Sequence, residues 1–247
     1  MKYPVTSILK VEFLLYLREP SAFFFTLIFP LLMMLLFSSI WGNDPFPGEE
    51  FGYVDFSVPA FMGMVMVTSF IMSLTTSMAA YRERGVLKRF RAAPVAPSSI
   101  LIGQLAAVFF VTVAGVILLL AAGILLFNLK FFGNVFEFLL VFGLSATGIS
   151  AMGFIPASLA SSARSGQVIA NTMFFPMLFL SGAALPHSML PEFLQNVSQI
   201  FPLTHAIKLM QGVWLGGHFW DYPVQLAVLS GITAAGFIVS VKFFRWE

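Results

Sequence analysis

The amino-acid sequence predicts an all-α integral membrane protein that crosses the membrane six times. Apolar residues make up 59% of the chain and charged residues only 10%, and the mean hydropathy is +0.92. Because about a quarter of the residues of an ordinary soluble domain are charged, this composition excludes that class. Long uncharged runs alternate with short charged connections, which is the pattern of a multi-span membrane protein.

Six uncharged segments are long enough, or nearly so, to cross about 30 Å of hydrocarbon as helices. The fifth is short and contains Pro176, so a broken or partial crossing is also open. We expect all six to belong to a single transmembrane domain that covers residues 1–247. The predicted spans are Phe23–Trp41, Val58–Ala80, Ile100–Phe127, Phe138–Ala160, Val168–Leu185 and Pro223–Val241.

The basic residues are distributed unevenly between the two sets of connections. Three lie in the N-terminal arm, five in the Tyr81–Pro97 loop, one at Arg164 and two in the C-terminal tail, eleven in all. Only Lys130 and Lys208 lie on the opposite side. Since connections rich in Lys and Arg remain in the cytoplasm, both termini are predicted to be cytoplasmic.

The N-terminal arm, residues 1–20, is predicted to lie along the inner membrane interface as a helix. It is too short to cross the bilayer, and its three basic residues make it too charged to do so. It is also too apolar to be a free tail, which leaves the interface as its expected place. Pro20 then turns the chain into the first span.

The external segment, residues 186–222, is predicted to be a helical hairpin that dips into the outer leaflet as a lid. Its first half has an apolar stripe opposite a polar one that includes Ser198, and a second apolar stripe follows Pro202. The residues assigned to this lid are Phe193, Val197, Phe201, His205 and Trp214.

The loop Tyr81–Pro97 holds five of the thirteen basic residues between two uncharged runs. Its spacing predicts a two-faced helix over 82–92, which Pro94 ends. Such a helix either docks onto a soluble partner or only holds the orientation and touches anionic lipid headgroups, and the pattern leaves both open. The basic face consists of Arg84, Lys88 and Arg91, and the other face of Glu83, Leu87 and Phe90.

Several kinds of chemistry are excluded by what the sequence lacks. It contains no phosphate-binding loop motif, so we expect no nucleotide site and no enzyme activity on this chain. No ionisable residue lies inside the six predicted spans, which argues against an ion-coupled carrier. There is no cysteine, and the three histidines have no ligand spacing, so no metal site is predicted.

Spans two and five carry Met, Phe and uncharged polar residues that suit a lipophilic ligand. Small hydroxyl residues and Phe also serve in helix packing, and from the sequence alone packing is the preferred interpretation. The residues that a ligand would contact are Phe61, Met64, Thr68, Met72, Asn171, Phe174, Phe175 and Phe179.

Two stretches resemble motifs of the type-2 ABC transporter permeases. The run ERGVLKRFRAAPV over Glu83–Val95 is similar to the family's signature between spans two and three. The run FPLTHAI over Phe201–Ile207 is similar to a second motif before the last span. The chain departs from the pattern at Val86, Ala93 and His205. The resemblance is nearest to bacterial drug- and antibiotic-efflux permeases of the daunorubicin-resistance kind.

The resemblance implies that the chain is the membrane subunit of an exporter in a bacterial inner membrane. It implies a second permease copy, identical or not, and two cytosolic ATPase subunits that bind ATP and Mg²⁺. Spans two and five would line a central cavity for a lipophilic substrate, and the external hairpin would close its exit. The residues that would contact or shape the ATPase interface are Glu83, Arg84, Gly85, Leu87, Lys88, Arg89, Phe90 and Arg91.

Other functions remain open at this point. Within the family, related permeases export lipid, lipid-linked glycan or sodium, so the substrate class is an expectation only. Outside it, an ion-coupled secondary carrier and a non-transport membrane scaffold are the alternatives. Dependence of transport on ATP rather than on an ion gradient would separate them.

Overall fold

The computed structural model describes residues 23–86, 97–184 and 187–243. Within these ranges the secondary structure is helical, and the strand-like pairing is limited to one isolated antiparallel bridge between Pro45 and Gly52. This agrees with the predicted all-α class. The predicted interfacial helix over residues 1–20 lies outside the described residues.

The helices follow one another with short connections. A π-helical turn, Phe24–Ile28, leads into α1, and a second π-helical turn, Thr68–Ser73, joins α2 to α3 without a break. Short 3₁₀ turns, His187–Met189 and Phe219–Asp221, precede α7 and α9. The helices are α1 (Phe29–Trp41), α2 (Tyr53–Val67), α3 (Leu74–Glu83), α4 (Pro97–Phe127), α5 (Val135–Leu159), α6 (Ala163–Leu180), α7 (Glu192–Ser198), α8 (Pro202–Trp214) and α9 (Pro223–Phe243).

Four helical stretches in the described chain are long and apolar enough to cross a membrane: Phe24–Trp41, Tyr53–Glu83, Ile102–Phe127 and Val135–Leu159. They match the first four predicted spans. α6 covers most of the fifth but starts with a polar turn, and α9 contains a shorter apolar stretch, Pro223–Gly236. The described residues therefore support four crossings by length and composition.

The helices of the second and fifth predicted spans, α2 and α6, begin earlier than predicted because polar side chains cap them. The Asn43 side-chain oxygen accepts hydrogen bonds from the backbone N–H groups of Val54 (3.0 Å) and Asp55 (3.1 Å) at the start of α2. The Ser162 hydroxyl oxygen accepts from Ser165 N–H (3.2 Å) at the start of α6. Such caps satisfy N–H groups that the helix itself leaves unpaired. Gly182, with φ +87°, turns the chain away just after α6.

The helix formed by α2, the π-helical turn and α3 is the centre of the bundle. Its most apolar stretch is entirely buried, and it contacts α1, α4, α5, α6 and α8. α5 packs closely on the π-helical turn, because Gly153 leaves room for the backbone carbonyl oxygen of Phe70. Small residues at helix contacts of this kind let backbones approach.

The segment before α9 contains the two helices of the predicted hairpin, α7 and α8, and α8 packs into the bundle. α8 is buried along most of its length against α2, α5 and α9. The N–H of Phe132, in the α4–α5 connection, donates to the carbonyl oxygen of Trp214 (3.1 Å). The Trp214 ring contacts Phe131 and Phe138 edge-on, with centroids 4.7 and 5.2 Å away. α8 is thus a fixed part of the bundle core.

Candidate functional site

The end of α3 is the place where the predicted partner-docking residues begin. α3 ends at Glu83, and Gly85 then takes a left-handed conformation (φ +66°) while its N–H donates to the carbonyl oxygen of Arg82 (3.0 Å). An unbroken helix from residue 82 to 92 is therefore wrong, since the chain turns at Arg84–Gly85. Leu87, Lys88, Arg89, Phe90 and Arg91 lie outside the described residues.

Arg82 joins the end of α3 to the end of α5. One guanidinium nitrogen, Nη1, donates to the carbonyl oxygens of Ala157 (3.0 Å) and Ala160. Ala157 lies in the last turn of α5 and Ala160 directly follows it, where backbone oxygens have no partner within the helix. A cation at this end of a helix also interacts favourably with the helix dipole. Arg82 therefore acts as a C-terminal cap of α5.

Glu83 makes the complementary contact with the start of α6. Its side-chain oxygen Oε2 accepts a hydrogen bond from the N–H of Ala163 (2.7 Å), the first residue of α6. An anion at a helix N-terminus pairs with unsatisfied N–H groups and with the positive end of the dipole. Two adjacent side chains thus hold opposite ends of two successive helices, which ties α3, α5 and α6 together at one point.

Sequence reasoning assigned Glu83 to a partner interface and did not single out Arg82. The Ser161-Ser162 pair in the α5–α6 connection was the available signal, because it predicts a helix start a few residues before the predicted fifth span. Nothing local indicates that Arg82 and Glu83 meet this connection, which is about 80 residues away in the chain.

The predicted ligand residues of the second span are in the core of the chain. Phe61, Met64, Thr68 and Met72 are buried, and so is Phe174 in α6. The Thr68 hydroxyl donates to the carbonyl oxygens of Met64 (3.0 Å) and Val65 (2.9 Å) within its own helix, so it has no free proton for a ligand. In a single chain these five residues pack between helices.

The other three predicted ligand residues lie on the outer part of α6. Phe175 and Phe179 are about half exposed, and they share a face with Val168 and Thr172, which are exposed as well. Asn171 is partly buried, and its side-chain oxygen accepts from Gln167 Nε2 (2.9 Å). The structure therefore does not bring the eight residues together around one open cavity; it places five in the core and three on or near one helix surface.

The five predicted lid residues are likewise divided between exposed and buried positions. Phe193 is exposed, Val197 and Phe201 are partly buried, and His205 and Trp214 are buried in α8. Around α7 the polar residue Ser198 is buried: its hydroxyl is 2.7 Å from Nε2 of His187, and its carbonyl oxygen accepts from the Thr204 hydroxyl (2.6 Å). Asn196 and Gln199 on the same side are exposed, and so are the apolar residues Phe193 and Ile200.

The surroundings of His187 lower the pKa of its side chain. Burial lowers the pKa of its imidazole, and the positive charge of Lys208 lowers it further. Burial also lowers the pKa of Lys208. Among the described residues no group of three His, Cys, Asp or Glu side chains could hold a metal ion.

Comparison with known proteins gives a consistent match over most of the chain. A family model for the ABC-2 type transporter matches residues 3–215. The chain is 26% identical over 190 residues to the probable multidrug ABC transporter permease YbhR of Escherichia coli (strain K12), which covers 74% of this chain and 51% of that protein. It is 25% identical over 197 residues to the inner membrane transport permease YhhJ of the same strain, covering 76% and 52%.

A further relative has a length closer to that of this chain. The putative transport permease ycf38 of Cyanophora paradoxa is 29% identical over 228 residues, which covers 86% of this chain and 74% of that protein. By contrast, the chain spans about half the length of YbhR and YhhJ.

Proposed function

Because this chain belongs to the ABC-2 type transporter family, we propose that it is the membrane subunit of an exporter driven by a separate ATPase. Two permease copies and two ATPase subunits would form the working transporter, with ATP and Mg²⁺ bound by the ATPases. The chain would cross a bacterial inner membrane six times, with α6 and α9 as the fifth and sixth crossings. The excess of basic residues, eleven against two, favours cytoplasmic termini.

The observation that carries this proposal is the junction at Arg82 and Glu83. The ATPase would dock on residues 84–91, directly after α3. Since α3 is bonded to the end of α5 and to the start of α6, a force on this loop would move all three helix ends together. Bundles change shape by rigid-body movement of such packed units. The junction thus supplies a route from the ATPase to α6.

The substrate would be lipophilic and would contact the exposed face of α6. Phe175 and Phe179 present apolar surface there, and Asn171 adds one amide. The five buried residues of the predicted ligand set would pack against the inner side of α6 and contact a substrate only when α6 moves away from α2. They are Phe61, Met64, Thr68, Met72 and Phe174. A drug-like or antibiotic cargo is in keeping with the name of YbhR, a probable multidrug permease.

The external closure would be made by the segment around α7 rather than by the whole hairpin. α8 is fixed by its contacts with α2, α5 and the α4–α5 connection. α7 is short, and Phe193 and Ile200 expose apolar surface on its outer side. Opening at α7 would leave the core of the bundle intact.

The proposal is tested by separating ATPase docking from coupling. The chain is co-expressed with its proposed ATPase partner, and co-purification and efflux of a dye panel are measured. We expect Leu87→Asp to lose co-purification and efflux together. Glu83→Ala should keep co-purification and lose efflux, while Glu49→Ala, an exposed carboxylate elsewhere, changes neither.

Two results would contradict the proposal. Efflux that persists when ATP is depleted and stops when the ion gradient is dissipated would indicate an ion-coupled carrier. Normal co-purification and normal efflux of both the Leu87→Asp and the Glu83→Ala variants would exclude the loop as the docking and coupling site. Export of sodium or a lipid-linked glycan, with no dye transported, would replace the lipophilic-drug substrate.

A further inference from the structure

A groove of about 520 Å³ lies between α4 and α5, apart from the predicted docking, ligand and lid residues. Its floor is Phe70, which belongs to the π-helical turn between α2 and α3. None of the eight predicted ligand residues is among those that line it. The volume falls within the range of about 300–1,000 Å³ that is usual for small-molecule sites.

Small residues of both helices are part of the groove's lining. Ala106 on α4 and Ala146 on α5 line it together with larger side chains, and their small size leaves space that a larger residue would fill. Ile102, Phe109 and Phe110 on its α4 side are exposed, so the groove opens on the flank of the bundle. A space of this kind loses dispersion contacts unless something fills it.

The lining offers almost nothing for a polar ligand. It contains no charged residue, and its two hydroxyl groups are already used within α5. The Thr147 hydroxyl donates to the carbonyl oxygens of Gly143 (3.0 Å) and Leu144 (2.9 Å), and the Ser150 hydroxyl donates to that of Thr147 (2.9 Å). A ligand with hydrogen-bonding groups would bind less favourably here, because those groups would lose their bonds to water without gaining new ones. A hydrocarbon chain has no such cost.

The surroundings of the groove are those of a surface that faces lipid. Both helices are candidate membrane spans. Beyond the groove, the exposed side of α4 continues as an uninterrupted apolar stripe through Ile117, Leu118, Ile124 and Leu125. A groove that is continuous with a lipid-facing stripe is open to the tails of neighbouring lipids.

We propose that the α4–α5 groove binds one acyl chain of a membrane phospholipid as a structural lipid site. The acyl chain fills the space next to Ala106 and Ala146 and covers Phe70 in the π-helical turn. A flexible hydrocarbon tail matches a groove that has no charge and no free donor to orient a partner. The site stands apart from the proposed cargo face on α6 and does not require the ATPase.

The test uses the full chain reconstituted in vesicles that contain a phosphatidylcholine with a photoactivatable diazirine in its acyl chain. After illumination, adducts are located by mass spectrometry. We expect adducts at the groove residues Ala106, Phe109 and Thr147 to exceed those at Leu125 several-fold, although Leu125 is the more exposed, because a held chain reacts more than a passing one. Equal labelling at the groove and at Leu125 would overturn the proposal.

Matched substitutions on α4 distinguish filling the groove from adding bulk. Ala106→Phe should abolish the excess of groove adducts, and Ala121→Phe, at an exposed position on the same helix, should leave it unchanged. Ala106→Leu gives a milder filling if the larger residue impairs folding.

A cysteine at Thr147 tests whether a second permease copy occupies the groove instead, because the chain has no cysteine of its own. The variant is Thr147→Cys. Efficient disulfide or bismaleimide linkage between two copies through this residue would show that a second permease covers the groove, and would overturn the proposal.

Discussion

The carboxylate of Glu83 accepts a hydrogen bond of 2.7 Å from the backbone N–H of Ala163, so the last residue of α3 caps the first residue of α6. Its neighbour Arg82 caps the end of α5 at the same time. The proposed ATPase-docking loop directly follows α3. α3 is therefore hydrogen-bonded to α6, the helix that carries the exposed Phe175 and Phe179.

Removing the Glu83 cap is expected to destabilise the α3–α6 contact. Glu83→Ala should lower the free energy of unfolding by about 1 kcal/mol, because the Ala163 N–H loses a charged acceptor. Glu83→Gln keeps an acceptor and should have a smaller effect. Thermal unfolding in detergent measures both, and an unchanged Tm for Glu83→Ala would show that the cap contributes nothing.

The turn at Gly85 is expected to need a residue that tolerates positive φ. Gly85→Ala should cost about 1 kcal/mol, since φ is +66° and the cost comes from the backbone alone, with no atom within 4 Å of an added Cβ. Gly85→Asn should be tolerated better because Asn adopts this conformation more readily. Gly143→Ala, also with open space but in a helix, is the control and should not destabilise. Equal Tm values for all three variants would contradict the prediction.

Asp55 is expected to be the most sensitive acidic residue in the described chain. It is buried, and its carboxyl oxygens accept hydrogen bonds from Asn43 Nδ2 (3.0 Å), Gly52 N–H (3.2 Å) and Lys130 N–H (2.8 Å). Asp55→Ala would leave these donors without that acceptor and should cost about 3 kcal/mol.

The isosteric Asp55→Asn variant provides the comparison for Asp55→Ala. It retains one side-chain oxygen and should lose less stability. Glu50→Ala, at an exposed position in the connection that precedes α2, should be neutral. Chemical or thermal unfolding of the purified chain measures the series, and the order Asp55→Ala, Asp55→Asn, Glu50→Ala is the expected ranking of damage.

The contact of α5 with the π-helical turn is expected to tolerate no side chain at Gly153. A Cβ there would collide with the backbone carbonyl oxygen of Phe70, which cannot move aside as a flexible side chain could. Gly153→Ala should therefore cost about 1–3 kcal/mol through overpacking. Gly231→Ala in α9 has no atom within 4 Å of the added carbon and serves as the control. A similar Tm for both variants would exclude the close approach.

The pair His218–Glu137 is expected to make stability depend on pH. Nδ1 of His218 lies 3.1 Å from Oε1 of Glu137, and this hydrogen bond, together with the negative charge of Glu137, raises the pKa of the imidazole above its ordinary 6.5. For a raised pKa, the added stability is fully present below the unfolded-state pKa and is lost as the pH rises through the folded-state value.

This pH dependence is measured as a difference between variants. The Tm of the unmodified chain minus that of His218→Gln should be larger at about pH 5.5 than at about pH 8.5. The effect should be small because His218 is exposed and its pair is screened by solvent. Glu137→Gln should remove the same pH dependence. A difference that grows with pH would reverse the sign and refute the assignment.

Features that depend on local composition were predicted well from the sequence. The first four crossings followed from uncharged runs of sufficient length, and the structure has helices in all four places. The early starts of α2 and α6 were missed because Asn43 and Ser162 cap these helices, and Asn43 does so from a separate segment of chain.

Features that depend on neighbours in space were predicted less well. Thr68, Met64 and Phe61 have the composition of a ligand wall and also that of helix packing, and the sequence alone only slightly favoured packing. Within one chain they are buried between helices, which local pattern could not show. Ser198 belongs to the polar side of α7 by periodicity, yet it is buried. His187 and Thr204 satisfy its polar groups.

The sequence by itself determined the membrane class, the first four helical spans and the family motif, because each follows from hydrophobicity, charge placement and local spacing. The expectation of a separate ATPase came from the resemblance to the family. Only the tertiary structure decided that Arg82 and Glu83 hold α5 and α6, that α2 and α8 form the core, and that a groove opens between α4 and α5. These depend on contacts between residues far apart in the chain, and the pairing of helix faces is set by packing and hydrogen bonding rather than by local pattern.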